Sequence, residues 1–350
     1  MSTLQDALQG RIKPKAGLVG IEIETEVKEY TDYPAGFLTD GGCNARGLQV
    51  WEVPLKDWIG NSDGSLRNFG VEFIFKEPLD YEDTIKALRD FGEKTKDIPF
   101  LEGQPSTSVH AHLNFGPERL LTLANFIVVW TMYENLLLDF CGETRRSNLF
   151  ASGIRTTEGI RDNYIRLFQS IEKGMGNGVV FTDGNVKYAT LNLAALARFG
   201  SLEVRCFRGT TKVEEIIEWI GILNRLMEFS RTPGLTPAAF LSSFREAGPE
   251  MISNVFGPYS DRLKCESWEI MTERNLYDVY QLVSTIKNWE TFGLKFKTMD
   301  TKGRRKPSID MSPDSPSPWQ LTPGSILGQA AHQAIIDDIV AYEPEPDLED

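Results

Sequence analysis

The sequence predicts an α+β fold in which helices pack on one face of a largely antiparallel sheet. Three observations carry this expectation. Apolar residues alternate with period two over Leu18–Val27, Val71–Phe75, Val109–Phe115, Tyr188–Ala194 and Ser201–Phe207, the pattern of half-buried strands. Helical spacing governs Asp80–Lys94, Glu118–Phe140, Glu158–Lys173, Val213–Ser230, Pro237–Ala247 and Leu276–Asn288. Two strands come before the first helix, one before the longest helix and two before a helix-rich last third. That order does not match the regular β–α alternation of a doubly wound parallel sheet.

In the first strand, Gly20-Ile-Glu-Ile-Glu-Thr25, the isoleucines point to one side and Glu22 and Glu24 to the other. A solvated strand face reads the same way, so this strand by itself decides nothing. The second, Gly70-Val-Glu-Phe-Ile-Phe75, puts Glu72 opposite Val71 and Phe73 and follows an Asp63-Gly64 turn. The third places His110, His112 and Asn114 on one face, so two of the three histidines stand two residues apart on one strand. Such a pair is either a ligand or catalytic group or a structural one. The fourth shows Tyr188, Thr190 and Asn192 on one side. The fifth shows Glu203 and Arg205 opposite Leu202, Val204 and Cys206.

Of the helices, 120–140 is nearly long enough to span a bilayer but carries Asn125, Glu134, Asn135 and Asp139, which predicts a buried soluble helix. Val213–Ser230 places Trp219, Leu223 and Leu226 on one face, a core pattern. The Gly-rich loop Lys173–Gly178 reads as a turn, with phosphate approach the sharper alternative.

The chain has 350 residues, 41% of them hydrophobic and 25% charged, enough apolar material for a large core. Its 37 Lys+Arg against 50 Asp+Glu give a net charge of −13, which argues against indiscriminate binding to nucleic acid or anionic membranes. Met1–Gly17 shows no apolar stretch of signal-peptide length. Cys43, Cys141, Cys206 and Cys265 are widely spaced and form no paired motif. The expectation is a cytoplasmic protein with reduced thiols. Residues 301–350 hold 7 of the 18 prolines and nine acids against four Lys/Arg, and predict a largely disordered acidic tail with a short helix at Ile326–Val340.

If the five polar strand faces coincide, one sheet surface carries Glu22, Glu24, Glu72, Glu203, two imidazoles and Arg205. Clustered carboxylates repel by about 4 kcal/mol per pair at about 4 Å and an effective dielectric near 20. They must take up protons, splay into water or be neutralised by cations. Oxygen-rich ligation with one imidazole suits Mg²⁺ or Mn²⁺ better than a closed zinc site, and Arg205 beside it can grip a phosphoryl group. Five unrelated amphipathic strands remain the competing account.

The ordered set G-I-E-I-E at 20–24, D-G-S-L at 63–66 with G-V-E at 70–72, H-A-H-L at 110–113 and L-E-V-R-C-F-R-G-T at 202–210 resembles the amidoligase family. That family is similar to glutamine synthetase and glutamate–cysteine ligase, the carboxylate–amine ligases. The resemblance covers roughly residues 17–230. It implies a twisted antiparallel sheet like the glutamine synthetase catalytic domain, with an ATP–metal site on the face opposite the helices. It implies residues 1–300 as the catalytic domain (motif core 17–230, helical part 231–300) and 301–350 as an appended tail.

By the same resemblance Glu22, Glu24, Glu72, His110 and Glu203 ligate two or more divalent ions, Mg²⁺ or Mn²⁺. His112 and Arg205 contact the γ-phosphate of ATP and act in catalysis. Arg145, Lys187 and Arg208 are further phosphate or carboxylate partners, and Asn192 occupies a polar strand position without an assigned role. The implied activity is an ATP-dependent ligation of a small-molecule or peptide carboxylate to an amine through an acyl phosphate. Guanidino-kinase-like phosphotransfer on the same fold, metal-dependent hydrolysis and a non-catalytic ATP-binding or scaffold role are the alternatives. Similar ligases often assemble as homo-oligomers, and some are phage-encoded and act in the host cytoplasm.

Overall fold

The computed structural model describes residues 19–44, 47–146, 148, 151–154, 159–172 and 188–286. Met1–Gly17, the loop Lys173–Gly178, Lys187, the domain limit at residue 300 and the tail 301–350 with its expected helix lie outside the described residues.

Among the described residues eight strands form one open sheet: β1 (Val19–Val27), β2 (Thr39–Cys43), β3 (Gln49–Glu52), β4 (Trp58–Asn61), β5 (Phe69–Phe75), β6 (Ser108–Asn114), β7 (Leu191–Asn192) and β8 (Ser201–Arg208). Their order is β2-β3-β4-β5-β1-β6-β8-β7, and every neighbouring pair is antiparallel. The fold is therefore α+β with a wholly antiparallel sheet. The first strand in the chain sits in the middle, where it receives hydrogen bonds from both sides.

Alternation decides which side of the sheet becomes core. Ile21, Ile23, Val71, Phe73, Val109, Ala111, Leu113 and Val204 point one way and are 0–2% exposed. The longest helix, α2 (Leu120–Cys141), packs in this core, and its apolar window is 89% buried. It is long and apolar enough to cross a membrane by composition, yet Asn125 donates to the carbonyls of Ser230 and Leu235 within the fold. Beside it runs α6 (Val213–Ser230), whose Trp219, Leu223 and Leu226 are fully buried. Phe207 of β8 stacks on Trp219 at 5.3 Å and Phe140 lies 5.9 Å from the same indole. Burying a phenylalanine contributes about 1.5–3 kcal/mol, so this ring stack is a firm backing for β8.

Local chemistry sets the helix ends. Helix α1 (Tyr81–Thr95) starts where the Asp80 carboxylate accepts from the Asp83 backbone N–H at 2.8 Å. Helix α7 (Pro237–Ala247) starts where Thr236 accepts from Ala239 N–H at 3.0 Å, with proline in its first turn. The other helices are α3 (Glu143–Arg146), α4 (Ile160–Glu172), α5 (Ala194–Phe199), α8 (Met251–Phe256), α9 (Ser260–Leu263) and α10 (Trp268–Ser284).

Three departures from the sequence reading have physical causes. Strands β2, β3 and β4 escape periodicity because they are four or five residues long, and β2 (TDGGC) is exposed throughout. The strand expected over Tyr188–Ala194 shrinks to Leu191–Asn192, because the Asn192 side chain accepts from Ala194 N–H at 2.9 Å and turns the chain into α5. The helix expected over Leu276–Asn288 begins at Trp268. Its first half is hard to read because a buried polar residue, Asn275, faces the core and donates to Met132 O at 3.0 Å.

Candidate functional site

The sheet face opposite the core is polar, and a cleft of about 980 Å³ lies over it. Register brings the acidic residues of separate strands side by side. Glu22 stands opposite Ile74 on one side and His110 on the other, Glu24 is the cross-strand partner of Glu72, and His112 is that of Glu203. Asn61 of β4 extends the row beside Glu72.

A β-bulge shapes the centre. Val109 pairs with Phe207 and Ala111 with Val204, so Arg205 and Cys206 together stand opposite the single residue His110. The extra residue allows both Cys206 and Phe207 to enter the core, each 0% exposed, while Arg205 stays on the polar face.

Among the described residues the side chains form two groups with metal-ligand spacing: Glu22, His110 and Glu203, and Glu24, Glu72 and His110. Within each group one ligand atom per residue lies within 4.8 Å of the others. His110 joins them: its Nδ1 is 3.1 Å from Glu22 Oε2 and 3.6 Å from Glu203 Oε1, and its Nε2 is 3.9 Å from Glu24 Oε1. Four carboxylates with one imidazole make an oxygen-rich donor set that fits a hard divalent cation.

Electrostatics follow from this crowding. Burial pushes the Glu72 carboxyl up to about 9, helped by the charges of Glu22, Glu24 and Asp63. Burial also acts upward on Glu22, but His112 and His110 outweigh it and hold the carboxyl well below the usual range. Burial pushes the His112 imidazole down, but the Glu22 charge, 3.2 Å from Nε2, more than reverses it, so its pKa is raised. Burial disfavours the Arg205 cation, yet Glu203, Glu24 and Glu22 raise its pKa. Arg205 donates from Nη1 to Glu203 Oε1, and Asn192 donates to the other oxygen, Oε2, at 2.6 Å. Asn192 thereby acquires a role: it orients Glu203.

The expected site residues do not all converge. Glu22, Glu24, Glu72, His110, His112, Glu203 and Arg205 share the cleft. Arg145 joins them from α3. It is 2% exposed, donates from Nη2 to Arg205 O at 2.8 Å, and makes no ion pair among the described residues. Its Nε has no hydrogen-bond partner among them either. Arg208 is not brought into the cleft. Its guanidinium turns to Glu215 at 2.8 Å and to the carbonyl of Phe140 at 3.1 Å, so it ties β8 to α6 and α2.

Several residues outside the expected set support the site. Ser108 donates to Glu24 Oε2 at 2.5 Å and lies 2.7 Å from His110 Nε2. It shares the period-two face of His110, so its placement was readable, although a serine carries little signal beside two histidines. Ser201 lies 3.2 Å from His112 Nδ1. The Glu26 carboxylate accepts from Arg67 N–H, Asn68 Nδ2 and Ser106 Oγ at 2.8, 2.6 and 2.7 Å and fastens the 62–68 loop to the cleft floor. Behind the sheet, Glu134 of α2 accepts from Thr190 Oγ1 at 2.5 Å and from Ile154 N–H at 2.7 Å, holding the approach to β7.

A scan against protein-family models and a search of curated proteins return no match to this chain.

Proposed function

We propose that the chain is an ATP-dependent carboxylate–amine ligase built on a glutamine synthetase-like catalytic sheet. One observation carries the reading: adjacent strands bring four carboxylates, two imidazoles and an arginine to one cleft floor, with the carboxylates and His110 in two cation-sized groups that meet at His110. The order of these residues in the chain, which resembles amidoligases, supports it further.

In this reading Glu22, Glu24, Glu72, His110 and Glu203 hold divalent ions, Mg²⁺ or Mn²⁺. The ions supply charge neutralisation for the ATP phosphates, which lets an acidic protein bind a polyanion. Arg205, kept cationic by the surrounding carboxylates, offsets the charge that develops on the transferred phosphoryl group. His112, whose pKa the Glu22 charge raises, contacts the same group. Arg145 offers a buried cation to a second anionic moiety, a phosphate or the substrate carboxylate.

A carboxylate oxygen of the first substrate attacks the γ-phosphorus and ADP leaves. The amine nitrogen of the second then attacks the acyl carbon and phosphate leaves, with the amine proton passing to a base. The substrates are small-molecule or peptide carboxylates and amines. Four free thiols, Cys43, Cys141, Cys206 and Cys265, support work in the reducing cytoplasm.

The test is release of ADP and phosphate with Mg²⁺ across pools of amino acids, polyamines and peptides, with Glu203→Gln as control. ADP formation that requires both a carboxylate and an amine, with an amide product, is expected. A phosphorylated acceptor without an amide assigns a guanidino-kinase-like phosphotransfer. Turnover without ATP assigns hydrolysis. ATP binding without turnover assigns a scaffold, and neither ATP binding nor ADP formation ends the ligase reading.

A further inference from the structure

A carboxyl group in an apolar layer is costly to bury, and an apolar residue of similar size would ordinarily serve a core helix better. Glu134 of α2 is nevertheless 1% exposed. Among the described residues its two oxygens collect three donors. Thr190 Oγ1 at 2.5 Å and Trp130 Nε1 at 3.2 Å donate to Oε1, and the Ile154 N–H donates to Oε2 at 2.7 Å. Gly153 leaves room for this approach, because a Cβ there would stand 3.0 Å from Oε2. The two segments so gripped also bind each other: the Thr190 N–H donates to Ser152 O at 2.9 Å.

What these segments hold is the pair Glu203 and Arg205. Strand β7 lies at the sheet edge and has only two residues, too few to fix itself. Its Asn192 donates to Glu203 Oε2 at 2.6 Å, and the Arg205 N–H donates to Thr190 O at 2.9 Å. The Arg205 carbonyl, on the same side of β8, is met by Arg145 Nη2 at 2.8 Å rather than by a further residue of β7. Strict alternation would put Thr190 and Asn192 on one face. A bend at Thr190 instead sends its hydroxyl to α2, while the Asn192 amide goes to the cleft. From this we infer that Glu134 is a positioning residue: through Thr190 it fixes β7, and β7 sets the Glu203 carboxylate and the Arg205 backbone. Glu134 itself lines no part of the cleft. The inference rests on the cation-binding part of the proposed function for its main readout and is independent of the ligation chemistry.

Mn²⁺ titration of the full chain, followed by the electron paramagnetic resonance of the free ion, tests it, with Glu203→Gln identifying the binding that depends on Glu203. Thr190→Val removes the hydroxyl at nearly constant volume. It is expected to weaken that binding by about tenfold or more, the usual worth of a partner that orients a ligand, and Thr190→Ser restores it. In an Asn192→Ala background the same Thr190→Val change is expected to cost less than about threefold, because both act on one carboxylate. A general loosening of the fold adds equally in both backgrounds. Amide exchange in the cation-free protein gives a second readout. Thr190→Val is expected to speed exchange of the Arg205 N–H by about tenfold, the worth of one buried hydrogen bond, and to leave the amides of β1 unchanged.

A folded Thr190→Val protein with unchanged Mn²⁺ affinity overturns the inference, and so does an equal loss in the Asn192→Ala background. If Thr190→Val does not fold, the wild type decides. Exchange of the Arg205 or Ile154 N–H at the rate of a frayed edge then overturns the inference, and protection close to that of β1 upholds it. Wild-type protein that binds no Mn²⁺ ends the cation reading, and the exchange comparison decides the inference by itself. The expected non-additive loss of Mn²⁺ affinity upholds it even where no amine supports ADP formation, a result that counts against the ligase reading alone.

Discussion

Glu24 and Glu72 are direct cross-strand partners on β1 and β5, so two carboxylates occupy one rung of the ladder at the floor of a cleft. Like charges directly opposite destabilise a sheet. The arrangement persists because Glu72 keeps its proton: burial, then the charges of Glu22, Glu24 and Asp63, push it up to about 9. A divalent cation seated there, as proposed, would displace that proton. At pH 7, calorimetric Mg²⁺ or Mn²⁺ titrations in buffers of different ionisation enthalpy should report release of about one proton per ion at this seat, and Glu72→Gln should abolish it.

The same repulsion separates stability from function. Since the folded-state value of Glu72 is raised, its contribution to stability is present below the unfolded value of 4.5 and lost as pH rises through about 9. Glu72→Gln removes the burden of ionising it. The cation-free variant should melt at or above the wild-type temperature in alkaline buffer, by about 2–4 °C per kcal/mol relieved. Mg²⁺ should no longer stabilise it to the wild-type extent.

Arg145 is a buried cation that makes no ion pair among the described residues, although the Glu24 charge acts on it. Arg145→Met removes an unpaired charge and keeps much of the volume. The expected outcome is a melting temperature close to or above wild type, with ATP or phosphate affinity lower by about tenfold or more, the worth of one charge-assisted hydrogen bond. Equilibrium dialysis beside a thermal melt separates the two effects.

Glu134 offers a pH test away from the candidate cation site. Burial raises its carboxyl above the ordinary 4.5, although Thr190, the Ile154 N–H and Trp130 pull the other way. Its stabilising contribution is therefore full below 4.5 and declines as pH rises through the raised folded value. Urea unfolding of wild type and Glu134→Gln between pH 4 and pH 8 should show the wild type losing ground steadily to the variant as pH increases.

Glycine in a helix interior ordinarily invites replacement by alanine, worth about 1 kcal/mol. Gly221 in α6 is an exception, because a Cβ there runs into Tyr259 Oη. Gly221→Ala should destabilise the protein by about 1–3 kcal/mol in urea unfolding, and Tyr259→Phe should recover part of the loss.

The sequence by itself determined the fold class and the two faces of the sheet. Side-chain alternation is a property of the strand backbone, so Ile21 and Ile23 inward and Glu22 and Glu24 outward follow from residue order alone. The placement of Glu22, Glu24, Glu72, His110 and Glu203 on one polar face of β1, β5, β6 and β8 was legible for the same reason. Strand order and register are long-range properties, set by packing and by connections that no local pattern encodes. They decided that Glu72 faces Glu24, that a bulge turns Phe207 into the core while Arg205 stays at the cleft, and that Arg208 is spent on Glu215. They also brought Arg145 in from a short helix and set Ser108 between Glu24 and His110. Those contacts exist only once residues 84 positions apart share one cleft floor, because hydrogen bonds and charge coupling act over a few ångströms of space, whatever the separation along the chain.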